Sequence, residues 1–271
     1  MKVGFIKPVH QAEWRDNVVL IPKKDGKVRM SMDFRDLNKA FPKDDFPLPH
    51  IDVLLDNMTG SALMSFMDGF LGYNQIKMTP KDMTKTTFTT GWGIYCYTMM
   101  PFGLKNAGAT YQRMATALLH DMMHNEVEVY VDDIIVKSKD REGHIINLRK
   151  LFERIKEYKL RLNPQKCTFG VTVGQLLGFL VSDEGIKVDP SKIKAILDMP
   201  LPKSGKEIRG FLGWLQYISR FIAKLTSTCE PIFKLLRKNE PHAWNDECQK
   251  AFKLIKECLL HPPILVPPKH G

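Results

Sequence analysis

EVEVYVDDIIVKS, residues 126–138, sets two adjacent carboxylates, Asp132 and Asp133, between two runs that read as strands. Val127, Val129 and Val131 alternate with polar residues, and Ile134, Ile135 and Val136 form a β-branched run. The pattern is strand, two-residue turn, strand. Neighbouring carboxylates at a tight turn repel each other, and nothing basic lies within the turn. A divalent cation would neutralise such a pair. Acidic residues are equally ordinary at solvated hairpin tips, so the pair alone leaves both readings open.

Working outward, the chain of 271 residues is 44% hydrophobic, which suffices for one large core or two modest ones. Its net charge of +10 favours a polyanionic partner. No apolar run is long enough to span a bilayer, and MKVGFIKPVHQAEW lacks the apolar core of a signal peptide. The five cysteines show no zinc-knuckle or redox spacing; free thiols in a reducing compartment are expected. His120 and His124 stand four apart on an expected helix, without a third ligand near in sequence.

On the N-terminal side, Val18–Ile21 and Val28–Met32 read as a hairpin turning at Asp25-Gly26. Lys23, Lys24, Lys27 and Arg29 crowd its tip, either as a soluble turn or as a basic flap over phosphates. FRDLNKAFPKDDFPLPHID is expected to be extended, pinned by Pro42, Pro47 and Pro49, before a short helix from His50 to Met58. ALMSFMD, residues 62–68, is a buried strand ending in Asp68, with a Gly-rich turn through Gly69, Gly72 and Tyr73. Strands at Thr86–Thr90 and Ile94–Met99 lead through MPFGLKNAGATYQ into a helix whose apolar face runs from Leu104 to Met122. On the C-terminal side, a helix is expected over Glu142–Tyr158 and strands over residues 176–188. From Pro190 the chain turns helical, with further helices at Pro231–Arg237 and Trp244–Leu260 and a proline-rich tail.

Six segments in this order, KKDGKVRMSMDFRDLN, SFMDGFLGYNQI, MPFGLKNAGATYQR, YVDD, LNPQKCTF and LLGFLVSDEGIKVDP, resemble the reverse transcriptase of gypsy-type long-terminal-repeat retrotransposons, with wording closest to plant elements. The resemblance spans essentially the whole chain. It implies an α+β right-hand polymerase with fingers, an antiparallel-sheet palm and a helical thumb. Residues 1–189 would form fingers and palm, 190–262 the thumb and start of the connection, and 263–271 a linker toward an RNase H domain. The implied activity is RNA-directed DNA synthesis on an RNA or DNA template with a primer, using dNTPs.

Nucleotidyl transfer suits two divalent ions roughly 3.5–4 Å apart, magnesium or manganese. The resemblance implies Asp68 and Asp132 as the metal-bridging pair, with Asp133 completing the cluster. The amides of Gly69 and Phe70 would meet the triphosphate, with Lys23 and Arg29 above it. Tyr73 matches the steric gate beneath the sugar. Phe102 takes the pocket position after proline, where retroviral enzymes carry Gln. Leu177, Gly178 and Phe179 match the hairpin that grips the primer end, and Lys166 is a possible general acid for pyrophosphate.

The chain departs from the family pattern in starting within the expected fingers, without the basic helical segment usual upstream, and in stopping where RNase H normally begins. A weakly processive fragment is the resulting expectation. An inactive nucleic-acid-binding relic is the competing class, distinguished by salt-dependent binding without incorporation. Another palm-type nucleotidyl enzyme, such as a cyclase, would have no duplex to hold and no use for a primer grip. The family implies cytoplasmic virus-like particles, with the nucleus as the alternative; no membrane partner is expected, and self-association is left open.

Overall fold

The computed structural model describes residues 4–10, 12–22, 26, 28–70, 72–236 and 244–267; for Arg29 it describes the backbone alone. The chain divides into two compact units, the first holding the described residues up to 54 and from 63 to 171, the second those of 55–62 and from 172 onward.

The first unit runs β1 (Ile6–Pro8), β2 (Val18–Pro22), β3 (Val28–Met32), α1 (Arg35–Ala40), the start of α2 (Ile51–Met58), β4 (Leu63–Asp68), α3 (Pro80–Met83), β5 (Thr87–Thr90), β6 (Gly93–Tyr97), α4 (Ala107–Leu119), β7 (Val127–Tyr130), β8 (Asp133–Ser138), α5 (Arg141–Glu157) and β9 (Thr168–Val171). Its central sheet is antiparallel in the order β7-β8-β4-β9. Strand alternation sends Met67 of β4, Val127 and Val129 of β7, and Ile134 and Val136 of β8 to one side, where they pack with Ala115 and Leu119 of α4 and Leu151 and Ile155 of α5. Asp68 and Asp133, one residue out of phase with that apolar set, are therefore turned to the other face.

Two smaller sheets complete the unit, β1-β6-β5 and the hairpin β2-β3. Met32, Phe34, Leu37 and Phe88 form their shared core. The hairpin leaves Val19, Leu20, Ile21, Val28 and Met30 exposed; its tip, with Lys23, Lys24, Asp25 and Lys27, lies outside the described residues. The proline-pinned segment is extended as expected, and α4 holds it. Asn106 Nδ2 donates to the Pro42 carbonyl at 3.0 Å, and Arg113 Nη2 reaches Asp44 Oδ1 at 2.8 Å.

The second unit contains the end of α2, the sheet β10 (Gly174–Leu176), β11 (Phe179–Ser182), β12 (Gly185–Val188), and the helices α6 (Pro190–Leu197), α7 (Gly205–Tyr217), α8 (Leu225–Lys234) and α9 (Asp246–Leu260). Ser204 caps α7: its hydroxyl accepts from Glu207 N, while Glu207 Oε2 accepts from Lys203 N just before the cap. By contact, the β10–β12 sheet groups with the helices that follow it.

Several local expectations are corrected. Arg35–Ala40 is helical, since the prolines begin only at Pro42, and Asp36 and Lys39 suit the two ends of its dipole. His120 and His124 share no helix: α4 ends at Leu119, and His124 has φ 66° and faces Glu128. Helix α8 begins at Leu225 and runs through Pro231, because Leu225, Cys229 and Ile232 recur on one face. Within the proline-rich tail, the Leu265 backbone exchanges hydrogen bonds with Ile186 at 2.8 and 3.0 Å. All five cysteines are free thiols, and no helix among the described residues is long and apolar enough to cross a membrane.

Asp16 is a weak point of the first unit. It is 8% exposed, and its Oδ2 has no hydrogen-bond partner. Burial, with the charges of Asp33 and Asp36, pushes its pKa up to about 6. The folded state therefore holds this proton more tightly than the unfolded chain does. Stability is lost as pH rises from about 4 to about 6, and the penalty is complete above that. Asp16→Asn is expected to gain about 1–2 kcal/mol at pH 7.5 and nothing at pH 4. Urea titrations at the two pH values measure this; a variant less stable at pH 7.5 would show that the carboxylate has a stabilising partner.

Candidate active site

Asp68 is the last residue of β4 and is paired in register with Asp133, the first of β8. Asp132 occupies the connecting turn with Val131. Antiparallel pairing brings Asp68 and Asp133 side by side, and the turn adds the third carboxylate. Gly69 N donates to the Asp132 carbonyl at 3.1 Å, tying the corner after β4 to the turn. Gly72 has φ 26°, and a Cβ there would lie 2.5 Å from Asp132 Oδ1, so the missing side chain makes room for the carboxylate.

The electrostatics are those of crowded acids. Burial, then the charges of Asp68 and Asp133, push Asp132 up to about 6. Burial and Asp68 also raise Asp133. Asp132 Oδ1 is buried without a hydrogen-bond partner. Lys166 Nζ donates to Asp68 Oδ2 at 3.0 Å. Among the described residues, no three His, Cys, Asp or Glu side chains are grouped closely enough to hold a metal ion as they stand. The oxygen donors and the partnerless Oδ1 nevertheless suit a hard divalent cation.

The turn itself is strained. Val131 is β-branched, yet it has φ 52°. Gln112, buried on α4, holds it there: its Oε1 accepts from Val131 N at 2.7 Å, and its Nε2 donates to the Val129 carbonyl at 3.3 Å. Gln75 performs a similar task beside Asp68, donating to the carbonyls of Phe70 and Arg161 and accepting from Arg161 N at 2.7 Å. The sequence reading missed both residues. Their only signal is a polar amide within apolar surroundings, and the Val131 amide that Gln112 serves is visible only in the fold.

Gln112→Leu keeps the volume but removes the acceptor for a part-buried N–H. It is expected to cost about 1–3 kcal/mol of stability by leaving that N–H unsatisfied. Thermal melting and urea titration test it; an unchanged midpoint would show that the turn holds without Gln112.

Tyr73 sits against Phe102, ring centroids 5.1 Å apart, and edge-on to Tyr111 at 5.8 Å. Burial and the nearby Asp132 charge raise its hydroxyl pKa. The Gly69 and Phe70 amides, expected to meet the triphosphate, are engaged within the protein: Gly69 N donates to Asp132 O at 3.1 Å, and Phe70 N donates to Arg161 O at 2.8 Å. Those bonds set the corner after β4. Lys23 lies outside the described residues; Arg29 is placed on β3 opposite Ile21, with nothing described of its guanidinium.

In the second unit, Leu177 and Gly178 form the turn between β10 and β11, at φ 49° and 80°. Tyr217 of α7 donates its hydroxyl to the Leu177 carbonyl. Phe179 is buried, stacked between Tyr217 and Phe221 at 5.0 and 5.9 Å. Tyr217 too was missed in sequence, since nothing local links it to a turn so far upstream.

Residues 21–216 match the family model described as reverse transcriptase (RNA-dependent DNA polymerase). The chain belongs to that family. It is 34% identical over 260 residues to the retrovirus-related Pol polyprotein from transposon 412 of Drosophila melanogaster, covering 94% of this chain and 21% of that protein. It is 32% identical over 248 residues to the transposon Tf2-3 polyprotein of Schizosaccharomyces pombe, covering 92% and 19%. The chain thus spans about a fifth of these relatives. Among solved structures, a foamy viral protease-reverse transcriptase in complex with double-stranded DNA superposes with a TM-score of 0.89 at 24% identity, over 98% of this chain and 47% of that one. The right-hand polymerase fold and the retrotransposon resemblance are borne out. Residues 21–216 thus carry the domain of an RNA-dependent DNA polymerase family, and that family implies dependence on a divalent metal.

Proposed function

We propose that this chain extends a primer 3′ end with dNTPs on an RNA or DNA template, through an acidic site built from Asp68, Asp132 and Asp133. The single observation that carries the reading is Asp132, a carboxylate in a strained turn beside Asp68 and Asp133, with a buried oxygen that none of the described residues satisfies. Asp68 and Asp132 would hold the shared metal, and Asp133 would add charge. Bound there, two magnesium ions, or manganese, would acidify the primer hydroxyl and neutralise the leaving pyrophosphate.

The chain's own residues then divide the labour. Tyr73 bounds the space beside the acids, with its ring against Phe102; it is the proposed sugar gate, and Phe102 supplies packing only. Arg29, with Lys23, would approach the triphosphate from the fingers. Gly69 and Phe70 set the corner beneath it. Leu177 and Gly178 are the proposed primer-facing turn, anchored by Phe179 in the core of its own unit. Lys166 is the proposed general acid. In the functional division, residues 1–189 serve as fingers and palm, 190–262 as thumb and start of the connection, and 263–271 as a linker.

Structurally similar foamy viral protease-reverse transcriptases form complexes with double-stranded DNA and with an RNA/DNA hybrid, which supports a template–primer here. A gypsy-type, plant-like element acting in cytoplasmic particles is the cellular reading. Incorporation of dNTPs on an RNA template with a DNA primer, in magnesium and in EDTA, tests the function. Metal-dependent extension is expected; salt-sensitive binding with no extension would select the relic.

A further inference from the structure

We infer that Lys166 is the resident counter-ion of the acidic cluster, holding Asp68 in the metal-free enzyme and competing there with divalent cations. The inference rests on the proposed metal-binding role of Asp68, Asp132 and Asp133.

The pair is built into the fold. Lys166 closes a short turn whose first residue, Asn163, donates its backbone N–H to the Asp68 carbonyl at 2.9 Å. The Asn163 side chain accepts from Gln165 N at 3.2 Å, and Lys166 N donates back to the Asn163 carbonyl at 3.0 Å. The turn that carries the lysine is thus bolted to the backbone of the aspartate that it neutralises. Strand β9, immediately after it, pairs with β4 itself. The ammonium arrives at Asp68 Oδ2 at 3.0 Å from a side chain that is 61% exposed. It can therefore withdraw into solvent without breaking anything else.

Its reach extends past Asp68. The Lys166 charge also acts on Asp132 and Asp133, where it opposes the effects of burial and of Asp68. Among the described residues, no other cation acts on those two carboxylates. One ammonium against three carboxylates leaves two negative charges, and Asp132 Oδ1 still has no partner. The lysine thus makes the empty cluster tolerable without satisfying it. It also opposes a second cation beside Asp68, so the metal-free cluster binds ions more weakly than three bare carboxylates would. Once off Asp68, the same ammonium is free to face a triphosphate, whose negative charge would draw it away. Ion binding and substrate arrival are coupled in this way through one side chain.

The test is direct Mn²⁺ binding to the protein without nucleic acid, read by electron paramagnetic resonance of free Mn²⁺. Lys166→Gln is expected to bind about three- to tenfold more tightly than wild type, as loss of one nearby positive charge predicts. Lys166→Arg, which keeps the charge, is expected to match wild type. Lys81→Gln, which removes a charge from α3, is also expected to match it. The metal-free thermal midpoint of Lys166→Gln is expected to fall and its gain on adding Mn²⁺ to exceed that of wild type; Lys166→Ala provides a second neutral variant for both measurements. Unchanged or weaker Mn²⁺ binding by a folded neutral variant would overturn the counter-ion role while leaving the site intact. Equal binding by wild type and Asp132→Asn would instead remove the acidic site itself, and the inference with it.

Discussion

Asp132→Asn is expected to reduce nucleotide incorporation by at least about a thousandfold, with template–primer affinity within about threefold of wild type. The substitution is nearly isosteric, so it fits the space that Gly72 leaves open. The turn is held by Gln112 through the Val131 amide and by Gly69 through the Asp132 carbonyl, and the Asn variant retains both backbone contacts. What changes is charge. A neutral amide is a poor ligand for a hard cation, and it no longer supports the developing charge of the reaction. The fold should not suffer. In the metal-free protein the raised pKa of about 6 makes ionised Asp132 a burden that grows as pH rises from about 4 to about 6. The metal-free variant should therefore melt no lower than wild type at pH 8. Single-turnover extension, filter binding and thermal melting together decide the matter. Incorporation within tenfold of wild type would take Asp132 out of the mechanism.

Tyr73→Val is expected to lower discrimination against ribonucleotides by about 10- to 100-fold. The Tyr73 ring is wedged between Phe102 and Tyr111, and neither neighbour is a flexible chain that could fill the vacated volume. Burial, and then the Asp132 charge, raise the pKa of its hydroxyl. Trimming the ring removes a clash with a 2′-hydroxyl without adding any contact to a deoxyribose. The gain should thus appear in ribonucleotide efficiency, with only a modest loss for dNTPs. Tyr73→Phe, which keeps the ring, separates bulk from hydroxyl and is expected to discriminate as wild type does. The measurement is the ratio of dNTP to rNTP incorporation efficiency. A ratio unchanged by Val would reduce Tyr73 to a packing residue and place the gate elsewhere.

Much of this molecule is legible in one dimension, because local chemistry repeats at the period of the element that carries it. The valine alternation around Tyr130, the proline run after Phe41 and the apolar face from Leu104 each dictate a local structure with little help from distant residues. Ordered motifs point to the family, and through it to Asp68, Asp132 and Asp133. Short elements escape such a reading. Strand β9 is four residues long and is stabilised by pairing with β4, and Arg35–Ala40 is too brief to show a helical period. The same holds for Leu265, whose strand-like contact exists only because Ile186 lies opposite.

The sequence by itself determined which family, since that depends on residue type and order, and the resemblance then nominated the carboxylates and the gate. Only the tertiary structure decided how they are held. Gln112 straightens no local pattern, yet it restrains a left-handed Val131 across 19 positions. Lys166 stands 98 positions from Asp68 and meets it through the pairing of β4 with β9. The amides of Gly69 and Phe70, free for phosphate when read along the chain, are engaged once the Asp132 and Arg161 carbonyls arrive from other strands and turns. Hydrogen bonds and ion pairs act over a few ångströms of space, and sequence separation says nothing about which groups come that close.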